Sequence, residues 1–112
     1  MHNTECIFCK IGSHDAPATV VFENDGYIAF RDINPEAPTH VLVLPKKHVE
    51  LFSQLLEPTH VEMLHGLLSA IRDTVRILDI ADNFKLLANN GKAAGQIIPH
   101  VHFHLISQKN TK

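Results

Sequence analysis

The sequence predicts a single α+β domain over residues 1–112, a largely antiparallel sheet of about five strands with one long helix packed on it. Three observations carry this. Short apolar segments bounded by Gly, Pro, Asn and Asp occur on both sides of the chain's middle. One segment alone repeats its apolar residues at helical intervals. No repeat, linker or low-complexity stretch divides the 112 residues, and 45% apolar with 20% charged residues suits one core.

Val20-Val21-Phe22-Glu23, the turn Asn24-Asp25-Gly26 and Tyr27 to Asp32 read as a β-hairpin, with Gly26 expected to supply a positive φ. Val41 to Leu44 is a third strand, limited by Pro38 and Pro45 because proline cannot donate to a sheet ladder. From Glu57 to Leu78 the period becomes helical. Pro58 suits a first turn, and Val61, Leu64, Leu67, Leu68, Ile71, Val75 and Leu78 fall on one stripe. Phe84 to Ala88 and Val101 to Ile106 are the last two strands, joined by a loop containing Gly91 and Gly95.

The formal charge of −2 gives no electrostatic footing for nucleic acid, so no nucleic-acid partner is expected. No apolar run approaches the roughly 18 residues that span a bilayer, so no membrane association is expected and the cytoplasm is the default compartment. Two cysteines in such a chain point to thiols or metal ligands rather than a disulfide scaffold.

His100, His102 and His104 alternate with Val101, Phe103 and Leu105. On a strand, with a rise of roughly 3.3 Å per residue, the three imidazoles share one face, anchored roughly 6.6 Å apart, while the apolar partners face a core. Such a ladder can grip a metal or an anionic phosphate. With nine histidines in the chain, a strand with three solvent-facing histidines is the alternative. The stretch Asn89 to Pro99 runs directly into the ladder.

His100-Val101-His102-Phe103-His104-Leu105-Ile106 resembles the signature of the histidine triad (HIT) nucleotide hydrolases and transferases. Ala37-Pro38-Thr39-His40, Pro45-Lys46-Lys47-His48, Gly95-Gln96 and Cys6-Ile7-Phe8-Cys9-Lys10-Ile11 resemble the same family in order and spacing. The likeness covers nearly the whole chain and is nearest the nucleoside phosphoramidase-like branch, in the bacterial form that keeps the cysteine pair. It implies the same α+β architecture, a HIT-like sheet, and a homodimer.

The resemblance makes His102 the nucleophile. A neutral imidazole attacks phosphorus through one nitrogen while the other donates its hydrogen to a carbonyl that sets the tautomer. His104 is implied to contact the phosphate and to hydrogen-bond charge developing on the departing group. His40 matches a histidine supporting the site from the preceding strand, or simply closes the turn after Pro38-Thr39. Asn89, Gly95, Gln96 and Ile97 match the phosphate loop, where the amides of Gln96 and Ile97 are candidates to donate to phosphoryl oxygens. At Ile97 the chain departs from the eukaryotic branch, which carries a serine there. Phe30 and Ile33 match residues flanking a nucleobase, with the Asp32 carboxylate accepting from ribose hydroxyls; strand core is the alternative for the two apolar residues.

Cys6 and Cys9 make a C-x2-C, by itself half of a tetrahedral metal site. The resemblance completes it with His48 and His100 and implies a closed structural Zn2+ holding the N-terminal segment to the catalytic strand. Two reduced cysteines and a free His48 are the alternative. His60 and His65, with His2 and His14, are read as exposed histidines without a role.

The expected activity is attack at the α-phosphorus of a purine nucleoside phosphoramidate, or a related AMP or GMP conjugate, through a nucleotidyl-histidine intermediate. Dinucleoside polyphosphate hydrolysis, a non-catalytic nucleotide-binding module and a metalloenzyme with an open coordination position are the alternatives.

Overall fold

The computed structural model describes residues 5–111. Its elements are α1 (Ile7–Gly12), β1 (Val20–Glu23), β2 (Tyr27–Arg31), β3 (Thr39–Pro45), α2 (Val61–Ile77), β4 (Lys85–Leu87) and β5 (Phe103–Ser107). The strands form one sheet in the order β1-β2-β3-β5-β4, antiparallel at every pairing. The expected α+β architecture of five strands and one long helix is therefore the observed one.

Strand alternation divides the core. Ala29, Val41, Val43, Val101, Phe103 and Leu105 pack with Leu67, Ile71, Val75 and Leu78 of the α2 region. Ile28, Phe30, Leu42 and Leu44 instead meet Cys6, Phe8, Cys9 and Ile11. β3 lies between β2 and β5, and all seven of its residues are buried. Gly66 of α2 lets the sheet approach closely: the Tyr27 hydroxyl donates to the Met63 carbonyl at 3.0 Å, where a Cβ on Gly66 would overlap it.

Several elements differ from expectation. α1 has six residues, too short to leave a helical period. At the hairpin, the Asn24 carboxamide oxygen accepts from the Gly26 and Tyr27 N–H groups at 3.1 and 2.9 Å, so the turn closes through that side chain; Gly26 is not among the positive-φ glycines, which are Gly91 and Gly95. β3 extends two residues earlier than expected and ends on Pro45. The stretch Pro58–His60 is a 3-10 turn, and α2 starts at Val61, because Pro58 accepts the Val61 N–H three residues on.

The helix stripe also splits. Leu67, Ile71, Val75 and Leu78 are buried, Leu64 is partly buried, and Val61 and Leu68 are exposed. At the end of α2 the Ile80 N–H reaches the Val75 carbonyl and the Asp79 N–H the Arg76 carbonyl, with Asp79 left-handed at φ 56°. The two last strands are shorter than expected, Lys85–Leu87 and Phe103–Ser107. Among the described residues no helix is long and apolar enough to cross a membrane.

Candidate active site

The face of the sheet away from α2 carries His40 and His104. His104 lies opposite Leu42, and His40 stands two residues along β3 from Leu42, a diagonal neighbour on the same face. Their nitrogens, His40 Nε2 and His104 Nδ1, are 2.9 Å apart. Asp32 follows β2, and its N–H donates to the His40 carbonyl at 2.9 Å. Its Oδ2 thereby stands 3.4 Å from His40 Nε2, while Oδ1 accepts the Asn34 N–H at 2.9 Å.

The three triad histidines are not on one regular strand, since β5 begins at Phe103 and only His104 lies within it. Their alternation with Val101, Phe103 and Leu105 still sorts the two sets between the faces. The His102 and His104 ring centroids are 5.0 Å apart, while His100 turns toward the cysteines. His102 and His100 are buried, and His104 is partly so.

Backbone hydrogen bonds assign the protons on these rings. His102 Nδ1 lies 2.7 Å from the His100 carbonyl, which only accepts, so Nδ1 carries the hydrogen and Nε2 keeps its lone pair. The Glu36 N–H donates to His40 Nδ1 at 3.1 Å, so the His40 hydrogen is on Nε2. That hydrogen faces His104 Nδ1, which accepts, and leaves the His104 hydrogen on Nε2. Adjacent imidazoles thus expose opposite functions, a lone pair on His102 and a donor on His104. Burial lowers the pKa of both; at His102 the carbonyl and the Asp32 charge oppose it, while at His104 the neighbouring His102 and His40 add to it and the Asp32 and Glu36 charges oppose it. Both are neutral near pH 7.

A second cluster lies at the N-terminal side. Cys6, Cys9, His48 and His100 each aim a ligand atom so that all four lie within 4.8 Å of one another. Cys6 Sγ to His100 Nδ1 is 3.4 Å, Cys9 Sγ to His48 Nδ1 is 3.3 Å and Cys9 Sγ to His100 Nδ1 is 3.6 Å. A tetrahedral Zn2+ with bonds of about 2.0 Å to nitrogen and about 2.3 Å to sulfur has N–S edges of about 3.5 Å. His100 Nε2 donates to the Pro45 carbonyl at 2.7 Å, leaving the Nδ1 lone pair for a cation; burial pushes its pKa down to about 4. The residues fit the ion.

Asp32, His40 and His104 also converge closely enough for a metal. Their hydrogen bonds point elsewhere. A ligating histidine donates its second ring N–H to an acceptor, whereas His40 accepts an N–H at Nδ1 and holds its hydrogen on Nε2, in the position a metal would need.

A cleft of about 580 Å³ opens beside His40 and His104, a size that admits a small organic ligand. Phe30, Asp32, Ile33, Asn89, Gly95 and Ile97 border it, Phe30 buried and Ile33 90% exposed. His102 does not line it directly; its ring packs 5.0 Å from both Phe8 and His104, which do. Unexpected wall residues are Ile7, Phe8 and Ile11 of α1. Their signal was the Ile7-Phe8-x-x-Ile11 spacing that overlaps the cysteine pair. Glu36, whose backbone orders His40, left no side-chain signal.

Gln96 departs from its expected place. It is buried, absent from the cleft wall, and its N–H is already committed to the Gly91 carbonyl at 3.1 Å. Its Oε1 accepts the Gly91 N–H at 2.7 Å, and Nε2 donates to the Glu50 and Ile98 carbonyls. Gln96 holds the loop shut from inside rather than presenting its amide to a phosphate. Gly95, at φ 94°, provides the left-handed turn beside it. Among the other histidines, His65 is exposed, His14 contacts Glu23 at 2.7 Å, and His60 is partly buried with Nδ1 donating to the Gln54 carbonyl; His2 lies outside the described residues.

The HIT domain model matches residues 13–111. The chain belongs to the HIT family. Among solved HIT structures, a histidine triad protein from Clostridium difficile superimposes with a TM-score of 0.90 at 33% identity, covering 97% of this chain and 95% of that one. A Zn-bound histidine triad protein from Mycobacterium smegmatis matches at 0.75 and 31% identity, covering 96% and 77%. An adenylylsulfatase of Arabidopsis thaliana is 39% identical over 101 residues, 89% of this chain and 69% of the relative.

Replacing Gln96 by Leu strips partners from three backbone groups and is expected to cost about 1–3 kcal/mol in urea unfolding. Ile97→Ala, at a residue 88% exposed, is expected to change stability by less than about 0.5 kcal/mol.

Proposed function

We propose that this HIT protein hydrolyses or transfers nucleoside monophosphates by attack at the α-phosphorus of a purine nucleoside phosphoramidate or related AMP or GMP conjugate. The observation that carries the reading is the complementary imidazole pair, with the lone pair on His102 and the N–H on His104. In the first step His102 Nε2 bonds to phosphorus as the bond to the leaving group breaks, and the His104 N–H hydrogen-bonds the departing atom. Water then displaces His102 from the nucleotidyl adduct. His40 acts through His104, holding its ring and tautomer. Phe30 and Ile33 are read as the base subsite, Asp32 as the ribose acceptor, and Asn89, Gly95 and Ile97 as the phosphate side of the cleft. The adenylylsulfatase relative supports an adenylyl conjugate as substrate.

Cys6, Cys9, His48 and His100 would hold a structural Zn2+, whose chemistry is to crosslink the N-terminal segment, β3's end and the triad. The four-ligand geometry and the Zn-bound relative support this. A cytoplasmic homodimer completes the reading: Val61, Leu68 and Ile77 of α2 and Leu86 on the edge strand β4 leave apolar surface exposed, and pairing of two copies would cover both.

Three outcomes test it. Adenosine phosphoramidate is expected to turn over, His102→Ala is expected to lose at least about a thousandfold in kcat/KM, and a substrate chiral at the α-phosphorus is expected to react with overall retention, because two in-line displacements each invert. Net inversion contradicts the covalent route. Elemental analysis of protein purified without added metal is expected to find about one zinc per chain, and Cys9→Ser is expected to lower the melting temperature more than the rate per folded molecule. Light scattering at micromolar concentration is expected to give a dimer mass; a monomer counts against the shared apolar face.

A further inference from the structure

The short helix α1 carries two sets of side chains with different partners. Cys6, at its N-cap, and Cys9 belong to the Cys2His2 cluster, while Ile7, Phe8 and Ile11 form one wall of the cleft. Six residues are too few to hold helical shape alone in water, so what its side chains are bound to sets the position of α1. The Phe8 ring stands edge-on to Phe30 at 5.6 Å, to His102 at 5.0 Å and to the cluster ligand His100 at 5.9 Å. By contrast, Asp32, His40 and His104 sit on or beside β2, β3 and β5, whose strand pairings include no residue of α1, although α1 packs on Phe30 and Leu42 of that face. Cys6 and His48 also border a second cavity of about 400 Å³, with Glu5 and Glu50, which shares Ile7 and Ile98 with the cleft.

From this juxtaposition we infer that the Cys2His2 cluster and the cleft are allosterically coupled through α1, with Phe8 as the positioning residue. An ion on Cys6, Cys9, His48 and His100 seats α1, completes the cleft wall and raises its affinity for a nucleoside monophosphate. Linkage then requires bound nucleotide to raise ion retention by the same factor. Without the ion, the sheet-borne part of the site persists while α1 samples positions away from it, and the nucleotide binds only the seated fraction. The inference rests on the nucleotide reading of the cleft.

Isothermal titration of AMP into zinc-loaded and chelator-treated protein, with circular dichroism reporting the fold of each, tests it. The Kd for AMP is expected to rise about tenfold without zinc. Competition for Zn2+ against a chelator, with and without saturating AMP, is expected to show the same factor as a gain in zinc retention. Phe8→Ala keeps all four ligands, and at matched AMP saturation its gain is expected to shrink at least about threefold. This comparison decides the matter even if the zinc-free chain unfolds, because stabilisation of the whole fold by AMP acts alike on both proteins. Equal gains in the two proteins, or an AMP Kd indifferent to zinc in folded protein, overturn the coupling alone. Failure of AMP to bind the zinc-loaded protein overturns the nucleotide reading and the coupling with it.

Discussion

His100 has no exposed surface, and each of its polar atoms is committed. Its N–H donates to Ile98, its Nε2–H to Pro45 at the end of β3, its Nδ1 faces the two thiols, and its carbonyl accepts from His102. Burying a polar side chain so completely is favourable only when every group is paired. The rest of the site hangs on those pairings. One residue joins the N-terminal helix, the central strand and the ring proposed to attack phosphorus, so a change in any of the three is felt at the others.

The two clusters each hold two histidines, and these are wired in opposite ways. In the cysteine cluster, the second nitrogen of His100 donates to a carbonyl, which frees the first for a cation. Around Asp32, the second nitrogen of His40 accepts a backbone N–H, which loads the first with a hydrogen and makes the ring a donor to His104. Whether a buried imidazole offers a lone pair or a hydrogen is thus decided by the backbone group behind it. Here that group is Pro45 in one case and Glu36 in the other.

Much of this was legible in the residues. The five strands, the helix, and the sorting of His and apolar side chains to opposite faces follow from periods of two and 3.6 that burial enforces over long stretches. α1 escaped because six residues hold less than two helical turns and their apolar spacing overlaps the cysteine pair. Gly26 misled because an Asn three residues before Tyr27 closes the turn from its side chain. β5 begins late because residues up to His102 bend to place His100 on the cysteines, a tertiary demand that alternation cannot express. Gln96 looked like a phosphate contact since it stands beside Gly95, yet three backbone groups, those of Gly91, Ile98 and the sequence-distant Glu50, claim its side chain.

The central claim is that the backbone imposes different tautomers on neighbouring imidazoles, and ring 15N chemical shifts of uniformly labelled protein at pH 7 report this directly. The expected spectrum has a protonated Nδ1 and bare Nε2 on His102, and a bare Nδ1 and protonated Nε2 on His104, each assigned by loss of its signals in a single His→Gln variant. A proton on Nε2 of His102 would leave no lone pair for phosphorus and would contradict the account.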